Sequence, residues 1–304
     1  MTLQQLRQVL TIAESNSMNE AAKKLFVSQP NLSATVREVE EELGITVFMR
    51  NNRGITVTAE GEEFLGYAKQ VVEQYHLLEN RYLNVESKKK FSVSMQHYSF
   101  AVKAFVQLAK EVGMDEYEFA VHETKTKEVI DNVKNLKSEI GVLYLSDFNE
   151  KVLRKLFKEC DIEFKELFTC NTYVYLWKKH PLAGQKEITL DDLQEYPCLT
   201  FEQGVNNSFY YAEEMMSTYE YKRVIKADDR ATMLNLMVGL NGFTLCSGII
   251  SEDLNGDDYA AIPLKESEKM HIGYIKHKGT KLSKLGEIYI DAVSYTHLTL
   301  PTIR

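Results

Sequence analysis

Gln29, Ser33 and Arg37 stand four residues apart, so a helix carrying them lines up three hydrogen-bond donors in one row. Donors on one helical face can reach base edges in the major groove of DNA. Pro30 and Ala34 share this face, together with Glu38 and Glu41. Phosphates would repel Glu38 and the run Glu40 to Glu42, so only the front half of such a helix can enter a groove. Leu32, Val36, Val39 and Leu43 form the opposite stripe, which must pack on something. Ser28 is placed as N-cap, and Pro30 is tolerated in the first turn, where backbone donors have no helical partner.

No other set of residues promises chemistry. Cys160, Cys170, Cys198 and Cys246 are far apart and form no Cys-x-x-Cys pair, which indicates buried free thiols. The seven histidines show no ligand spacing, and the acids from Asp253 to Asp258 lack the spacing and distal glutamate of a calcium loop. Ser247 lacks the flanking glycine of a nucleophile elbow. No catalytic residue, metal or cofactor is therefore expected.

Elements that would position the donor row are legible around it. Thr2-Leu3-Gln4-Gln5 fits a capping box, and Leu3, Leu6, Leu10 and Ala13 recur at helical spacing. Ser17-Met18-Asn19-Glu20 repeats the device for a second helix running to about Leu25. Small Ala21 and Ala22 allow close helix approach, and Phe26-Val27 is the turn. Helix, tight turn and capped helix make a helix-turn-helix. Residues 45–48 and 55–57, joined by Met49-Arg50-Asn51-Asn52-Arg53-Gly54, read as a two-stranded wing with Arg50 and Arg53 near its tip, set for the backbone or the minor groove.

Net charge is -8 over 304 residues. Within residues 1–58, six cations (Arg7, Lys23, Lys24, Arg37, Arg50, Arg53) meet six anions (Glu14, Glu20, Glu38, Glu40, Glu41, Glu42), so the acidic excess lies downstream. A neutral reading head can bind DNA when its cations face the phosphates.

Ala21-Ala22, Leu25, Ser28-Gln29-Pro30, Ser33, Glu40, Leu43-Gly44, Phe48, Arg50, Thr58 and Gly61 together resemble the amino-terminal region of LysR-type transcriptional regulators. Two positions depart from that pattern: Ala34 stands where a long polar side chain is frequent, and Val39 where leucine is usual. The resemblance covers residues 1 to about 88.

Thr58 caps a further helix, in which Phe64, Ala68, Val71, Tyr75, Leu78, Tyr82 and Val85 follow steps of four and three. That spacing is a heptad seam and predicts two-stranded pairing, as the resemblance also implies. Lys88-Lys89-Lys90 ends the segment as an interdomain linker.

From Phe91 onward short apolar strands alternate with helices. Strands are expected at 91–95, 117–122, 140–145, 163–170, 173–177, 198–201, 223–227, 242–246, 260–263 and 270–277, and helices at 100–112, 126–136, 190–195, 209–218, 230–238, 247–253 and 283–293. Alternation of this kind predicts an α/β fold of parallel sheets with helices on both faces. The resemblance implies a two-lobe, periplasmic-binding-protein-like effector domain, with the chain crossing near Phe164 and again near Lys265. Lys179-His180-Pro181-Leu182-Ala183, the turn Val238 to Phe243 with Asn241 in place of a frequent glycine, and Glu139-Ile140-Gly141-Val142 are similar to family segments in the right order.

An effector should sit between the lobes, where strand ends and helix amino termini converge. Gln96, His97 and Ser99 follow the first strand, and Ser99 with nearby backbone donors can hold an anionic head group. Thr124 and Thr126 follow the second strand, and Thr200 and Phe201 face them from the other lobe. A capping or loop role is the plainer account of each.

The expectation is thus a winged helix-turn-helix at 1–58, a dimerisation helix at 59–90, and an effector domain at 91–293 with lobe I at 91–163 and 265–293 and lobe II at 164–264. Residues 294–304 read as a non-native or disordered tail. The implied function is a regulator that binds double-stranded DNA at an inverted repeat, as a homodimer or homotetramer, under control of a small-molecule effector. RNA polymerase is a candidate further partner. Its alternatives are a cysteine-based redox regulator of the same architecture and, more remotely, an enzyme on a two-lobe fold. No apolar run reaches the roughly 18 to 20 residues of a membrane span and the amino terminus carries no signal-peptide pattern, so a cytoplasmic protein is expected.

Overall fold

The computed structural model describes residues 1–299 apart from 16, 52–53, 83–87, 114–115 and 207. It divides into two compact units, Met1–Ser87 and Lys88–Arg304.

In the first unit α1 (Leu3–Ala13) opens on the expected capping box: the Gln5 amide donates to Thr2 Oγ1 at 3.2 Å while Thr2 N donates to Gln5 Oε1 at 2.8 Å. Ser17 caps α2 (Met18–Lys24) and Ser28 caps α3 (Gln29–Leu43), each accepting from the amide three residues on. Phe26 in the connecting turn takes φ 54°, and Gly44 ends α3 at φ 70°. Val9, Ile12, Ala21, Ala22, Leu32, Val36 and Val39 form the buried centre. Leu43 does not join it as expected, because α3 outruns its packing partners there and Leu43 is exposed.

The wing is β1 (Phe48–Asn51) paired antiparallel with β2 (Gly54–Val57), Asn51 opposite Gly54. Pairing begins at Phe48 and not at residue 45, because the Glu40 carboxylate holds the Val47 and Phe48 amides at 2.7 and 3.0 Å. Thr58 Oγ1 accepts from Gly61 N at 2.9 Å and starts α4 (Ala59–Tyr82). Leu6, Ala68 and Val72 join α4 to α1.

In the second unit the chain runs through β3 (Lys89–Met95), α5 (Ser99–Val112), β4 (Tyr117–Glu123), α6 (Thr126–Lys134), β5 (Ile140–Leu145), α7 (Glu150–Glu159) and β6 (Ile162–Asn171). It continues as β7 (Tyr173–Trp177), β8 (Cys198–Phe201), β9 (Val224–Ala227), α8 (Arg230–Leu240), β10 (Thr244–Cys246), α9 (Glu252–Asn255) and β11 (Tyr259–Pro263), and ends in β12 (Lys269–His277) and α10 (Lys284–Thr299). Lobe I is the sheet β4-β3-β5-β12-β6, in which β3 is parallel to β4 and β5 while β12 is antiparallel to both its neighbours. Lobe II holds the antiparallel sheet β10-β7-β11 and the parallel pair β8-β9. All-parallel sheets were expected, but the lobe I sheet is mixed and the three-stranded lobe II sheet is antiparallel, since β12 and β7 run against their neighbours.

Phe164 lies inside β6, which pairs with β12 along its whole length, so the first crossing comes at Thr172 and not near Phe164. Helix α7 was not anticipated; its Leu153 and Phe157 are buried against lobe I. The expected helix at 209–218 is only a 3-10 turn at Phe209–Tyr211, and the helix expected at 247–253 shrinks to α9. Helix α10 continues through Thr299, with Thr296 buried, so 294–299 is helical and not a disordered tail. Residues 300–304 lie outside the described residues. Among the described residues no helix is long and apolar enough to cross a membrane.

Candidate functional site

On α3, Pro30, Ala34 and Arg37 are exposed and Gln29 is half-exposed, all on the face away from the core. Ser33 is buried, a departure from its expected place on that face: it flanks Leu32 and Val36, and its Oγ accepts from Gln29 Nε2 at 2.8 Å. Ser33 thus orients Gln29. Three of the four acids that would oppose phosphate have partners within the unit. Gln5 Nε2 donates to Glu38 at 3.0 Å, Glu40 holds the wing backbone, and Glu42 pairs with the amino terminus. Arg53 and the side chain of Arg50 lie outside the described residues.

Along α4 the expected seam splits. Ala68 is 2% exposed against α1, and Phe64 packs on the same core. Val71, Tyr75 and Leu78 are exposed, and Tyr67, one step earlier, joins them on the uncovered stripe. Val85 and the side chain of Tyr82 lie outside the described residues.

A cavity of about 650 Å³, open space at its mouth included, lies between the lobes of the second unit. His97, Ser99 and Phe201, three of the seven expected effector residues, line it. The His97 ring stacks on Phe201 with centroids 3.7 Å apart, its Nδ1 lies 2.8 Å from Glu213 Oε2, and its backbone N donates to the same oxygen at 2.9 Å.

Gln96 and Thr126 do not line the cavity but fasten its rim. Gln96 Nε2 donates to Thr126 Oγ1 at 2.6 Å, Thr126 Oγ1 donates to the Tyr211 carbonyl at 2.7 Å, and Thr126 N donates to Gln203 Oε1 at 3.2 Å. Gln203 Nε2 then donates to Glu213 Oε1 at 2.9 Å. Arg230 pairs with Glu123 and Lys125 with Asp228, both across the lobes. Thr124 instead bonds Glu128, and Thr200 sits in the β8-β9 ladder, so neither reaches the cavity.

Sequence reasoning missed Glu213, Glu214, Arg230, Met233, Met237 and Thr244, all on the cavity wall. Glu214 Oε1 accepts from Phe201 N at 2.8 Å; burial first, and the neighbouring Glu213 second, push its carboxyl up to about 8. No local signal marks Glu213 and Glu214, since two neighbouring acids are ordinary on the solvent face of an amphipathic helix and their partners lie elsewhere in the chain.

The four thiols are all shifted upward, mainly by burial: Cys170 and Cys246 to about 12, with Cys160 and Cys198 also raised. At the lobe I end, Glu139 accepts from Ser283 N at 2.6 Å and from Ser283 Oγ at 2.9 Å, which pins the start of α10. Asn241 sits at φ 49° and accepts from Trp177 Nε1 at 2.8 Å, so asparagine does here what a glycine turn would do and adds a tether.

Residues 3–62 match the family model described as bacterial regulatory helix-turn-helix protein, lysR family, and residues 113–294 match the LysR substrate binding domain. The chain is 25% identical over 297 residues to the HTH-type transcriptional regulator CysL of Bacillus subtilis, covering 94% of each. It is 30% identical over 214 residues to the transcriptional dual regulator GltC of Bacillus subtilis, covering 67% of this chain and 66% of that one. Among solved structures, a full-length OxyR variant from Pseudomonas aeruginosa superposes with TM-score 0.70 at 19% identity, covering 96% of this chain and 94% of that one. Full-length CbnR in complex with its target DNA gives TM-score 0.60 at 18% identity, covering 97% and 100%.

Proposed function

The chain belongs to the LysR family of bacterial transcriptional regulators, and from that we propose that it binds an operator through α3 and the wing under control of a small molecule held between its lobes. The observation that carries this is the interlobe cavity itself, bridged by His97–Glu213, Thr126–Gln203 and Arg230–Glu123, in the same chain as an exposed Pro30, Ala34 and Arg37 face. A ligand that changes those bridges favours one lobe arrangement over another by its differential affinity for the two. Gln29, Ala34 and Arg37 supply the groove-facing side chains, with Ser33 fixing the Gln29 rotamer, and Arg50 and Arg53 serve the backbone or minor groove.

The uncovered α4 stripe joins two copies, so that the paired reading heads meet an inverted repeat whose half-sites lie about one helical turn, or a multiple, apart. The protein works by binding and not by turnover, in the cytoplasm where its DNA is. A redox reading needs an accessible thiol with a depressed pKa; all four thiols are shifted upward, and although Cys198 alone is fully buried, none has a cationic neighbour that outweighs desolvation.

Operator selection from a random duplex pool, repeated with Arg37→Ala, tests the DNA reading. Loss of about 1–3 kcal/mol of specific binding is expected if Arg37 reaches a base edge. Unaltered binding across a salt series would remove Arg37 from the interface.

A further inference from the structure

The interlobe cavity has a lopsided set of polar groups. Its walls are largely apolar, with Met233 and Met237 one helical turn apart on α8 and Met270 from β12. Methionine walls adapt to the shape of what they enclose. Two carboxyl groups, Glu213 and Glu214, reach this space at 6% and 5% exposure. Arg230, the one arginine on the wall among the described residues, is already paired with Glu123. Thr244, also on the wall and 6% exposed, has a buried hydroxyl with no hydrogen-bond partner among the described residues. A buried polar atom left without a partner costs free energy that a bound molecule can relieve.

We propose that the effector is a small organic ammonium compound, a protonated amine on an apolar body. Its nitrogen donates to Glu214, since Glu213 is already held by His97 and Gln203, and the body lies against Met233, Met237 and Met270. This rests on the reading of the cleft as the effector site.

Charge decides the class. An anion would be brought against two desolvated carboxyl groups with no unpaired arginine or lysine on the wall among the described residues to receive it, whereas a cation supplies what Glu214 lacks. The anionic head group expected at Ser99 would meet the same two carboxyl groups, which share the cavity wall with Ser99. The groups that face Glu214 are Glu213 beside it, the Tyr98 and Tyr144 phenols from lobe I, and Cys198 and Tyr221 from lobe II. None is a cation. His97 is engaged by Glu213. With its carboxyl pushed up to about 8, Glu214 is largely protonated at neutral pH, and an arriving ammonium group expels that proton.

The test uses the full chain and matched probes: 2-phenylethylamine, 2-phenylethanol and 3-phenylpropionate, with hexylamine, hexanol and heptanoate as an aliphatic set. Thermal shift should show stabilisation by the amines alone. Calorimetry in two buffers of different ionisation enthalpy should show release of a fraction of a proton at neutral pH, and amine affinity should tighten as pH rises towards about 8, while the amine stays charged. Glu214→Gln should weaken amine binding about tenfold or more. Should that variant fold poorly, Leu234→Trp, which adds bulk on the cavity wall from a half-buried position, should abolish amine binding while circular dichroism reports a folded chain. Binding of the carboxylates or alcohols in place of the amines, or amine binding that survives both substitutions, overturns the ligand class and leaves the cleft reading standing. Absence of stabilisation by every probe of all three charge types would overturn both.

Discussion

A side chain's role was legible from sequence where its partner lies within one turn of it. Thr2, Ser17 and Ser28 each cap the helix that the local pattern assigned to them. Ser33 was misread because a small residue on the margin of an apolar stripe can face either way, and only the packed helices decide. Glu213 and Glu214 were missed because their partners, His97 and Phe201 N, are 116 and 13 residues away. Gly61 was quoted as part of a motif, and the fold gives the reason: a Cβ there would run into the Val47 carbonyl. Gly61→Ala should therefore destabilise the DNA-binding unit by about 1–3 kcal/mol, read from the midpoint of urea unfolding. An unchanged midpoint would mean that the wing can shift freely. Glu214 makes a second claim. Its folded pKa of about 8 lies above the ordinary 4.5, so the folded state holds the proton more tightly, and stability contributed by the neutral carboxyl is lost as pH rises from about 4.5 to about 8. Glu214→Gln should flatten that decline, by an amount on the order of a few kcal/mol at the alkaline end. Parallel stability curves for the two proteins would show that Glu214 does not titrate alone.

Elements with strong local signals appeared close to where they were expected, among them α1, α2, α3, β5, β7 and β8. Helix α7 was overlooked because only two adjacent apolar pairs, Val152-Leu153 and Leu156-Phe157, show through its charged residues. The region 209–218 failed as a helix for the opposite reason. Its spacing was helical, but bonds from Glu213 to His97 and Gln203 and from Glu214 to the β8 backbone draw the chain into the cleft. Helix α4 joins both lessons. Seven seam positions were read from the spacing, yet Phe64 and Ala68 pack within their own unit, and Val71 and Leu78 remain 51% and 56% exposed. Replacing Val71 and Leu78 together by Asp should leave the unit folded and abolish pairing, since two buried unpartnered charges would be placed in the joint. Sedimentation that shows the same oligomer would assign assembly to other surfaces.

For the whole molecule, an α/β fold was legible as an alternation of strands and helices and the two lobes were implied by the family resemblance, but the direction of β12 and the reach of β6 were not legible. Strand direction depends on which distant segments pair, and local spacing does not carry that information. Lobe bridges such as Thr126 to Gln203 and Lys125 to Asp228 give a ligand something discrete to alter. If it acts on DNA binding, linkage requires that operator DNA change the ligand's affinity by the same factor as the ligand changes that of the operator. Titrations of a stabilising probe with and without operator should show equal factors; unequal ones would place the probe outside the control cycle. The uncovered stripe Tyr67, Val71, Tyr75 and Leu78 has a further consequence at this scale. Where free chains are mostly single, occupancy of a two-headed site rises with the square of their concentration. A modest change in synthesis or turnover then produces a steep change in output, and gene dosage becomes an input in its own right.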